Sequence, residues 1–333
     1  MKYDVITIGG ATEDITFYVE GAHLLNNDKN ASGNKLLAFD YGTKVNIKKT
    51  YMTFGGGAAN TAACFATLGL KTAGLISCGS DQRGADIIRN LKKFKVDTSL
   101  IKKIPNKMSG FSFIIIGEGN EHVAFSHRAA NSFLNISQID LKKIERKSKW
   151  LFITSFSGEW KRDFDKIFAV EGNKIAWNPG ELQFEAGYPA LSKYFKKTEV
   201  LTLNKDEAIS LILTHKTHAG KPYDFLADSK NLLNVIHSWG PKIVVVTNNE
   251  HGADAYDGVK YYHQGIVKVE KKEDTTGLGD CFGASFISGL ELYQGDIARS
   301  LKLAAHNAAA VLAEQGAQNG FLTRKEIEKM GLL

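Results

Sequence analysis

The feature that most constrains this chain is its rhythm: short, continuous apolar runs alternate with longer amphipathic segments along most of its length. Residues 5–8, 111–116, 151–154, 175–177, 200–203 and 243–247 read as strands. Most of these runs lack the apolar–polar alternation of a half-exposed strand, so they are expected to be covered on both faces. Residues 81–95 and 224–239 carry apolar side chains at helical spacing and read as helices between strands. Parallel neighbours need a crossover element between them, so a chain alternating in this way is expected to be an α/β protein around a mostly parallel sheet.

Two regions break the rhythm. The stretch from about 14 to 53 is polar, with Gly and Asn, and ends in an extended run over 44–53. Residues 111–116 and 122–126 flank Gly117-Glu118-Gly119-Asn120, which reads as a hairpin turn. Together the segments 14–53 and 108–130 are expected to form a small β lid over the ligand end of the main sheet. A later hairpin, 253–256 with 259–263, surrounds Asp257-Gly258, a type I′ turn signal. There is no repeat, low-complexity tract or Pro-rich linker, so residues 1–333 are read as one domain.

Composition excludes several classes. The net charge is +6, but the lysines are scattered, as at Lys142, Lys143, Lys147 and Lys149, with no interleaved aromatics to stack bases. No nucleic-acid partner is expected, and a basic surface suits polyanionic ligands. No uncharged apolar stretch is long enough to span a bilayer, and Asp4 interrupts the N-terminal apolar run where a signal peptide would need continuity. Cys64, Cys78 and Cys281 show no paired spacing, which fits free thiols in a reducing cytoplasm. No Gly-x-x-x-x-Gly-Lys-[Ser/Thr] occurs, and no Gly-x-Gly-x-x-Gly follows the first strand, which argues against P-loop NTPases and nicotinamide dehydrogenases. His215 and His218 have metal-like spacing but no nearby third ligand, and are read as a solvated loop.

The richest stretch is Asp274-Thr275-Thr276-Gly277-Leu278-Gly279-Asp280, followed by Phe282, Phe286, Gly289, Leu290 and Tyr293 on one helical face. Two glycines therefore stand where a loop becomes a helix. The first amides of a helix lack internal partners and point outward at its positive end, so such a terminus binds phosphate oxygens. Asp280 can cap that helix. It can also project into the anion site and accept a proton from a substrate hydroxyl, as phosphoryl transfer requires.

The Asp-Thr-Thr-Gly-Leu-Gly-Asp run resembles the late signature of the ribokinase-like (PfkB) family of carbohydrate and nucleoside kinases, Asp-Thr-x-Gly-Ala-Gly-Asp, with Leu278 in place of Ala. The resemblance implies a three-layer α/β/α ribokinase-like domain with a small β-sheet lid, and ATP-dependent phosphorylation of an alcohol. It makes Asp280 the catalytic base and Gly277, Leu278 and Gly279 the anion hole. The early family signature, Gly-Gly-x-x-x-Asn-x-Ala, matches Gly55-Gly56-Gly57-Ala58-Ala59-Asn60-Thr61-Ala62, although the small residues alone fit a tight helix contact equally well. By resemblance Gly56, Gly57 and Asn60 hold the acceptor with Asp14, beside which Glu13 competes. Ribokinases often carry Lys at the position of Gly57.

On the nucleotide side, Asn204-Lys205-Asp206-Glu207 is similar to the family's Asn-x-x-Glu, implying Glu207 near Mg²⁺, while the same residues suit a helix cap. Asn178, Asn204, Thr247, Gly252 and Asn307 fall at positions the resemblance assigns to the nucleotide. The implied cofactors are ATP and Mg²⁺, with room for a monovalent cation such as K⁺, and the lids of relatives often pair into homodimers. The acceptor is expected to be a ribose- or fructose-like sugar. A nucleoside is the alternative, with Phe111 and Phe113 as candidates to stack its base; a phosphosugar would recruit Arg128. A silent ligand sensor on the same scaffold is the reading from another class.

Overall fold

The computed structural model describes residues 2–26, 35–117 and 122–333. The chain opens with β1 (Tyr3–Gly9) and β2 (Thr12–Val19), then passes through a short pair, β3 (His23–Asn26) and β4 (Lys35–Ala38), to β5 (Ile47–Gly55). There follow α1 (Gly57–Thr67), β6 (Thr72–Gly79), α2 (Gln82–Lys93), β7 (Lys102–Ile104), β8 (Gly110–Ile116) and β9 (His122–His127). Beyond α3 (Gln138–Ile144), strands and helices alternate as β10 (Ser148–Ile153), α4 (Trp160–Ile167), β11 (Lys174–Trp177), α5 (Glu181–Phe195) and β12 (Val200–Asn204). α6 (Lys205–Leu213), α7 (Tyr223–Ala227) and α8 (Ser229–Ser238) lead to β13 (Ile243–Thr247), β14 (Ala253–Tyr256) and β15 (Tyr261–Gln264). The last elements are α9 (Leu278–Leu292), α10 (Ile297–Leu312) and α11 (Arg324–Lys329).

Nine strands form the main sheet in the order β15-β14-β13-β12-β11-β10-β1-β6-β7. Pairing is parallel from β7 to β13 and antiparallel only at β14 and β15. From β1 the chain steps to β6 on one side and later to β10 on the other. The carboxyl ends of β1 and β10 therefore border the crevice where open α/β sheets bind ligands.

The apolar runs lack alternation because both faces are covered. Ile6, Ile8, Leu151 and Ile153 face a core with Phe164, Trp177, Phe195 and Leu232 from the β10–β13 half of the chain. Val5, Trp150 and Phe152 face the opposite core, with Phe65 of α1, Phe286 of α9 and Leu301 of α10. Helices thus lie on both sides of the sheet, the three-layer α/β/α arrangement expected from the sequence.

A separate four-stranded sheet runs β5-β2-β8-β9. Its register puts Asp14 opposite Thr53 and Ser112, and Ile15 opposite Met52 and Phe113. Successive side chains point to opposite faces, so Asp14, Thr16, Ser112 and Thr53 share one face and Ile15, Phe17, Phe113 and Phe125 the other. The expected turn at 117–120 lies, apart from Gly117, outside the described residues.

Two local expectations are corrected. The single helix over 224–239 is broken at Asp228, whose backbone is extended (φ −81°, ψ 114°) and whose carboxylate accepts from Lys230 N to cap α8. Tyr256 pairs with Tyr261, so the late hairpin has a four-residue loop. Only Gly258 in it takes a positive φ, 91°, whereas a type I′ turn needs two such residues; the Asp257 carboxylate instead accepts from the amides of Val259 and Lys260. Asp14 lies within β2. β6, fully buried beside β1, has no continuous apolar run because Gly74, Ser77 and Gly79 interrupt it.

Candidate active site

α9 is apolar all round, with Cys281 through Leu290 buried, and its first turn opens toward the crevice. Gly277 caps it in the left-handed region (φ 76°, ψ 4°), where a Cβ would lie 2.5 Å from that of Ala317. Cys281 N closes the first helical bond on the Gly277 carbonyl (2.9 Å), and Leu278 N reaches Thr275 O at 3.4 Å. The amides of Gly279 and Asp280 have no acceptor among the described residues. A Cβ at Gly279 would meet nothing within 4 Å, so this turn borders open space at the positive helix end.

The signature's first acid, Asp274, plays a different part. Its carboxylate accepts from Thr276 N (2.8 Å), Gln315 Nε2 (2.8 Å) and Gly316 N (3.0 Å), tying the loop before α9 to the loop after α10.

Asp280 is half-buried at this helix mouth. Its Oδ2 accepts from Asn60 Nδ2 at 2.8 Å. A Cβ on Gly57 would lie 3.2 Å from Asp280 Oδ1 and 2.9 Å from Thr154, the residue that follows β10. Gly57 therefore lets the start of α1 pass against the acid. Burial raises the Asp280 carboxyl to about 6, with the Asn60 hydrogen bond pulling the other way.

Asp14 stands two residues along the same strip of backbone, since a Cβ on Gly55 would fall 2.0 Å from its Oδ2. Asp14 is 6% exposed and its Oδ1 has no hydrogen-bond partner among the described residues. Burial raises its pKa, the hydroxyls of Thr12 and Ser112 lower it, and the charges of Asp274 and Glu13 add to the rise. Glu13, the competing acid, points to the other face and is paired with Arg83 (2.8 Å). An unpartnered buried acceptor is costly to the fold and suits a ligand hydroxyl.

The second glycine-rich helix start differs from the first. The amides of Ala58 and Ala59 both donate to Gly10 O (3.1 and 3.3 Å), so α1 keeps its first donors for the protein. Gly56 (φ 87°) packs on the Ala11 backbone, where a Cβ would approach to 2.5 Å. Asn60, expected to hold acceptor hydroxyls, is 4% exposed; it donates to Asp280 and accepts from Gln318 Nε2 (2.9 Å).

Glu207 and Asn204 form a reciprocal cap on α6: Asn204 N donates to Glu207 Oε2, and Glu207 N to Asn204 Oδ1, each at 2.8 Å. Burial raises the Glu207 pKa, its bond from the Asn204 amide lowers it, and the charges of Asp280 and Asp206 raise it further. Asn178 follows β11 and donates to Thr202 O (2.8 Å), while Thr247 ends β13 beside Asn204 in the sheet. All of these stand at the carboxyl end of the sheet. Gly252 is shaped by packing, since a Cβ there would lie 2.1 Å from Gln264 O.

Four of the expected residues make other contacts in this geometry. Asn307 is wholly buried, with its amide donating to Ser285 Oγ (2.7 Å) and accepting from Leu322 N (2.7 Å), so it clasps α10 to α9. Arg128 is paired with Glu181 (2.9 Å) and makes no contact with Asp14, Asn60 or Asp280. Phe111 and Phe113 lie on the face away from Asp14: Phe111 sits under the Arg83 guanidinium (4.5 Å) and Phe113 packs against Phe17. They do not stack a base over this site.

Thr12, Ser112, Thr154 and Gln318 carry no motif in the sequence. Ser112, Thr154 and Gln318 each meet a residue of a distant element, and Thr12 is set beside Asp14 only by the alternation of β2. Among the described residues no helix is long and apolar enough to cross a membrane.

The model of the pfkB family carbohydrate kinases matches residues 27–324. The ATP-dependent ribose-1-phosphate kinase of Halopiger xanaduensis is 24% identical over 278 residues, covering 83% of this chain and 86% of that protein. The ribokinase of Bacillus subtilis is 26% identical, covering 83% and 87%. Among solved structures, Arabidopsis thaliana ribokinase complexed with ribose and ATP superposes with a TM-score of 0.79 at 20% identity, covering 99% of each chain. A Burkholderia thailandensis nucleoside kinase in complex with inosine gives 0.77 at 18%, covering 98% and 97%.

Proposed function

The chain belongs to the pfkB family of carbohydrate kinases, and from that premise we propose that it moves the γ-phosphoryl group of ATP onto a hydroxyl of a small, ribose- or fructose-like sugar with Asp280 as general base. One observation carries this reading: a half-buried carboxylate with a raised pKa shares the mouth of α9 with the unpartnered amides of Gly279 and Asp280. A base works best when its pKa lies near or just below the operating pH, and a value of about 6 leaves Asp280 ionised yet able to hold a proton. The helix amides lie where negative charge develops on the transferring group.

In this mechanism Asp14 Oδ1 accepts from an acceptor hydroxyl and fixes the sugar's orientation. Asp280 takes the proton of the attacking hydroxyl, and the Gly279 and Asp280 amides hold the transferring phosphoryl oxygens. Mg²⁺ commonly uses one or two protein carboxylates beside phosphate oxygens. Glu207 fits that donor set, because only its Oε2 is engaged in the α6 cap and its carboxylate already feels the charge of Asp280. When bound there, Mg²⁺ would neutralise part of the triphosphate charge. Asn178, Asn204 and Thr247 line the approach to this end of the sheet.

The four-stranded sheet serves as the lid of a single kinase domain. It brings Asp14 to the site, and Tyr18 of β2 donates to Gln315 Oε1 (3.1 Å) in the loop that Asp274 anchors. Excluding water there suppresses hydrolysis of ATP. The lid's outer face carries Met52 at 68% and Phe125 at 57% exposure beside Ile15, Phe17 and Phe113, an apolar surface that a second copy of this chain would cover. A dimer is therefore expected in sedimentation at micromolar concentration, and Phe125→Lys is expected to yield monomer. A wild-type monomer under those conditions would remove the pairing.

ADP release in the presence of Mg²⁺ and K⁺, measured across a panel of pentoses, hexoses, their phosphates and nucleosides, tests the function. A free sugar is expected to stimulate release most. The outward position of Phe111 and Phe113 disfavours nucleosides. Equal slow release with every compound would instead support a sensor without turnover.

A further inference from the structure

Four side chains form one hydrogen-bonded line across the molecule. Asn90 Nδ2 on α2 donates to Gln318 Oε1 (2.7 Å), Gln318 Nε2 to Asn60 Oδ1 (2.9 Å), and Asn60 Nδ2 on α1 to Asp280 Oδ2 (2.8 Å). Gln318 lies in the loop between α10 and α11, is 5% exposed, and touches no group of the proposed reaction. Yet the line ends on the acid that the reaction uses.

The polarity of this line is set from its acidic end. An ionised carboxylate only accepts, so Asn60 must turn its NH₂ toward Asp280 and its carbonyl away. That carbonyl needs a donor, which Gln318 supplies, and the Gln318 carbonyl in turn takes the Asn90 amide. The two ends of an Asn amide are nearly equal in shape, so packing alone does not choose between them; the hydrogen-bond partners do.

We propose that Gln318, backed by Asn90, is a positioning residue of the phosphoryl-transfer reaction: it locks the Asn60 amide with its N–H side on Asp280 and so keeps Oδ1, which lies over Gly57, oriented toward the acceptor hydroxyl. This rests on Asp280 being the base. Without Gln318 the Asn60 carbonyl would be a buried acceptor with no partner, and turning it toward Asp280 would set oxygen against oxygen. The acid would then hold its proton more tightly and point less well.

The other ionisable groups around Asp280 do not substitute for this control. Glu207 at the start of α6 and Cys281 on α9 both feel its charge, and burial keeps the Cys281 thiol protonated well above its ordinary range. Asp14 of β2 lies beside Gly55, along the same backbone strip. No Lys or Arg among the described residues is paired with Asp280. An amide, rather than a cation, holds the acid.

The test is the pH profile of kcat/KM for the acceptor in wild type, Gln318→Met and Asn90→Ala. Gln318→Met is expected to move the acid limb up by about one pH unit, a roughly threefold loss near pH 6.5 that approaches tenfold near pH 5 and largely recovers above pH 8.5, with KM for ATP unchanged. Asn90→Ala, at a half-buried helix position, is expected to shift the limb the same way by less. If Gln318→Met does not fold, Asn90→Ala carries the test alone. A wild-type profile, or an equal loss at every pH, overturns the proposal. Asp280→Asn measured alongside separates the two ideas: turnover surviving in Asp280→Asn sinks the base itself, whereas a dead Asp280→Asn beside an unshifted Gln318→Met sinks only the relay.

Discussion

Asp280→Asn is expected to leave about a thousandth or less of the wild-type kcat while ATP still binds, because a positioned general base contributes roughly 10²–10⁴-fold and the helix amides that meet the phosphates are main-chain groups. The amide is nearly isosteric and can keep accepting from Asn60, so the loss reads the missing proton acceptor rather than a collapsed site. Stability moves the other way. Burial raises the Asp280 carboxyl from its ordinary 3.8 to about 6, so in the native state the ionised form is the disfavoured one. Between those values the folded chain binds more protons than the unfolded one, and stability falls as pH rises. Above about pH 6 the full penalty is present; below 3.8 it is gone. Asp280→Asn is therefore expected to melt a few degrees higher than wild type at pH 8, from relief on the order of 2 kcal/mol, and to show no gain near pH 3.5. Calorimetry at the two pH values, beside steady-state kinetics, checks both halves.

Asp14→Ala is expected to raise KM for the acceptor by about 10- to 100-fold with KM for ATP unchanged, since hydrogen bonds to a charged acceptor contribute roughly 1.5–3 kcal/mol. The unpartnered Oδ1 of a residue only 6% exposed is the reason. Gly55→Ala approaches the same interaction from the other side, because its Cβ would fall 2.0 Å from Asp14 Oδ2 and displace the carboxylate. The two variants should lose acceptor affinity in parallel. Isothermal titration with the acceptor, in the absence of ATP, measures this directly; unchanged affinity in Asp14→Ala would place the sugar elsewhere.

What was legible in the sequence was what local spacing encodes. Continuous apolar runs gave the buried parallel strands, and paired glycines before an apolar helical face gave the open mouth of α9. What spacing does not encode is the partner across the fold. Asn60 has the composition of a sugar ligand, but its amide is held by Asp280 and by Gln318, 258 positions away. Asn307 matched a family position on a helix, and only the packing of α10 on α9 reveals that Ser285 and Leu322 use up its amide. Asp14 follows two glycines that suggest a turn, yet pairing with β5 and β8 draws the chain into a strand. Period-two alternation then decided the fate of Phe111 and Phe113: once Ser112 faces Asp14, both aromatics must face outward. The break at Asp228 shows the converse, a helical apolar pattern interrupted by one carboxylate that caps the next helix better than it continues the last.

A structure of the protein with its acceptor and a non-hydrolysable ATP analogue tests the central claim most directly. The expected result is an acceptor hydroxyl about 2.6–3.2 Å from a carboxylate oxygen of Asp280, with the terminal phosphate against the amides of Gly279 and Asp280. A triphosphate seated away from the start of α9, or an acceptor hydroxyl whose nearest base is any group other than Asp280, would contradict it.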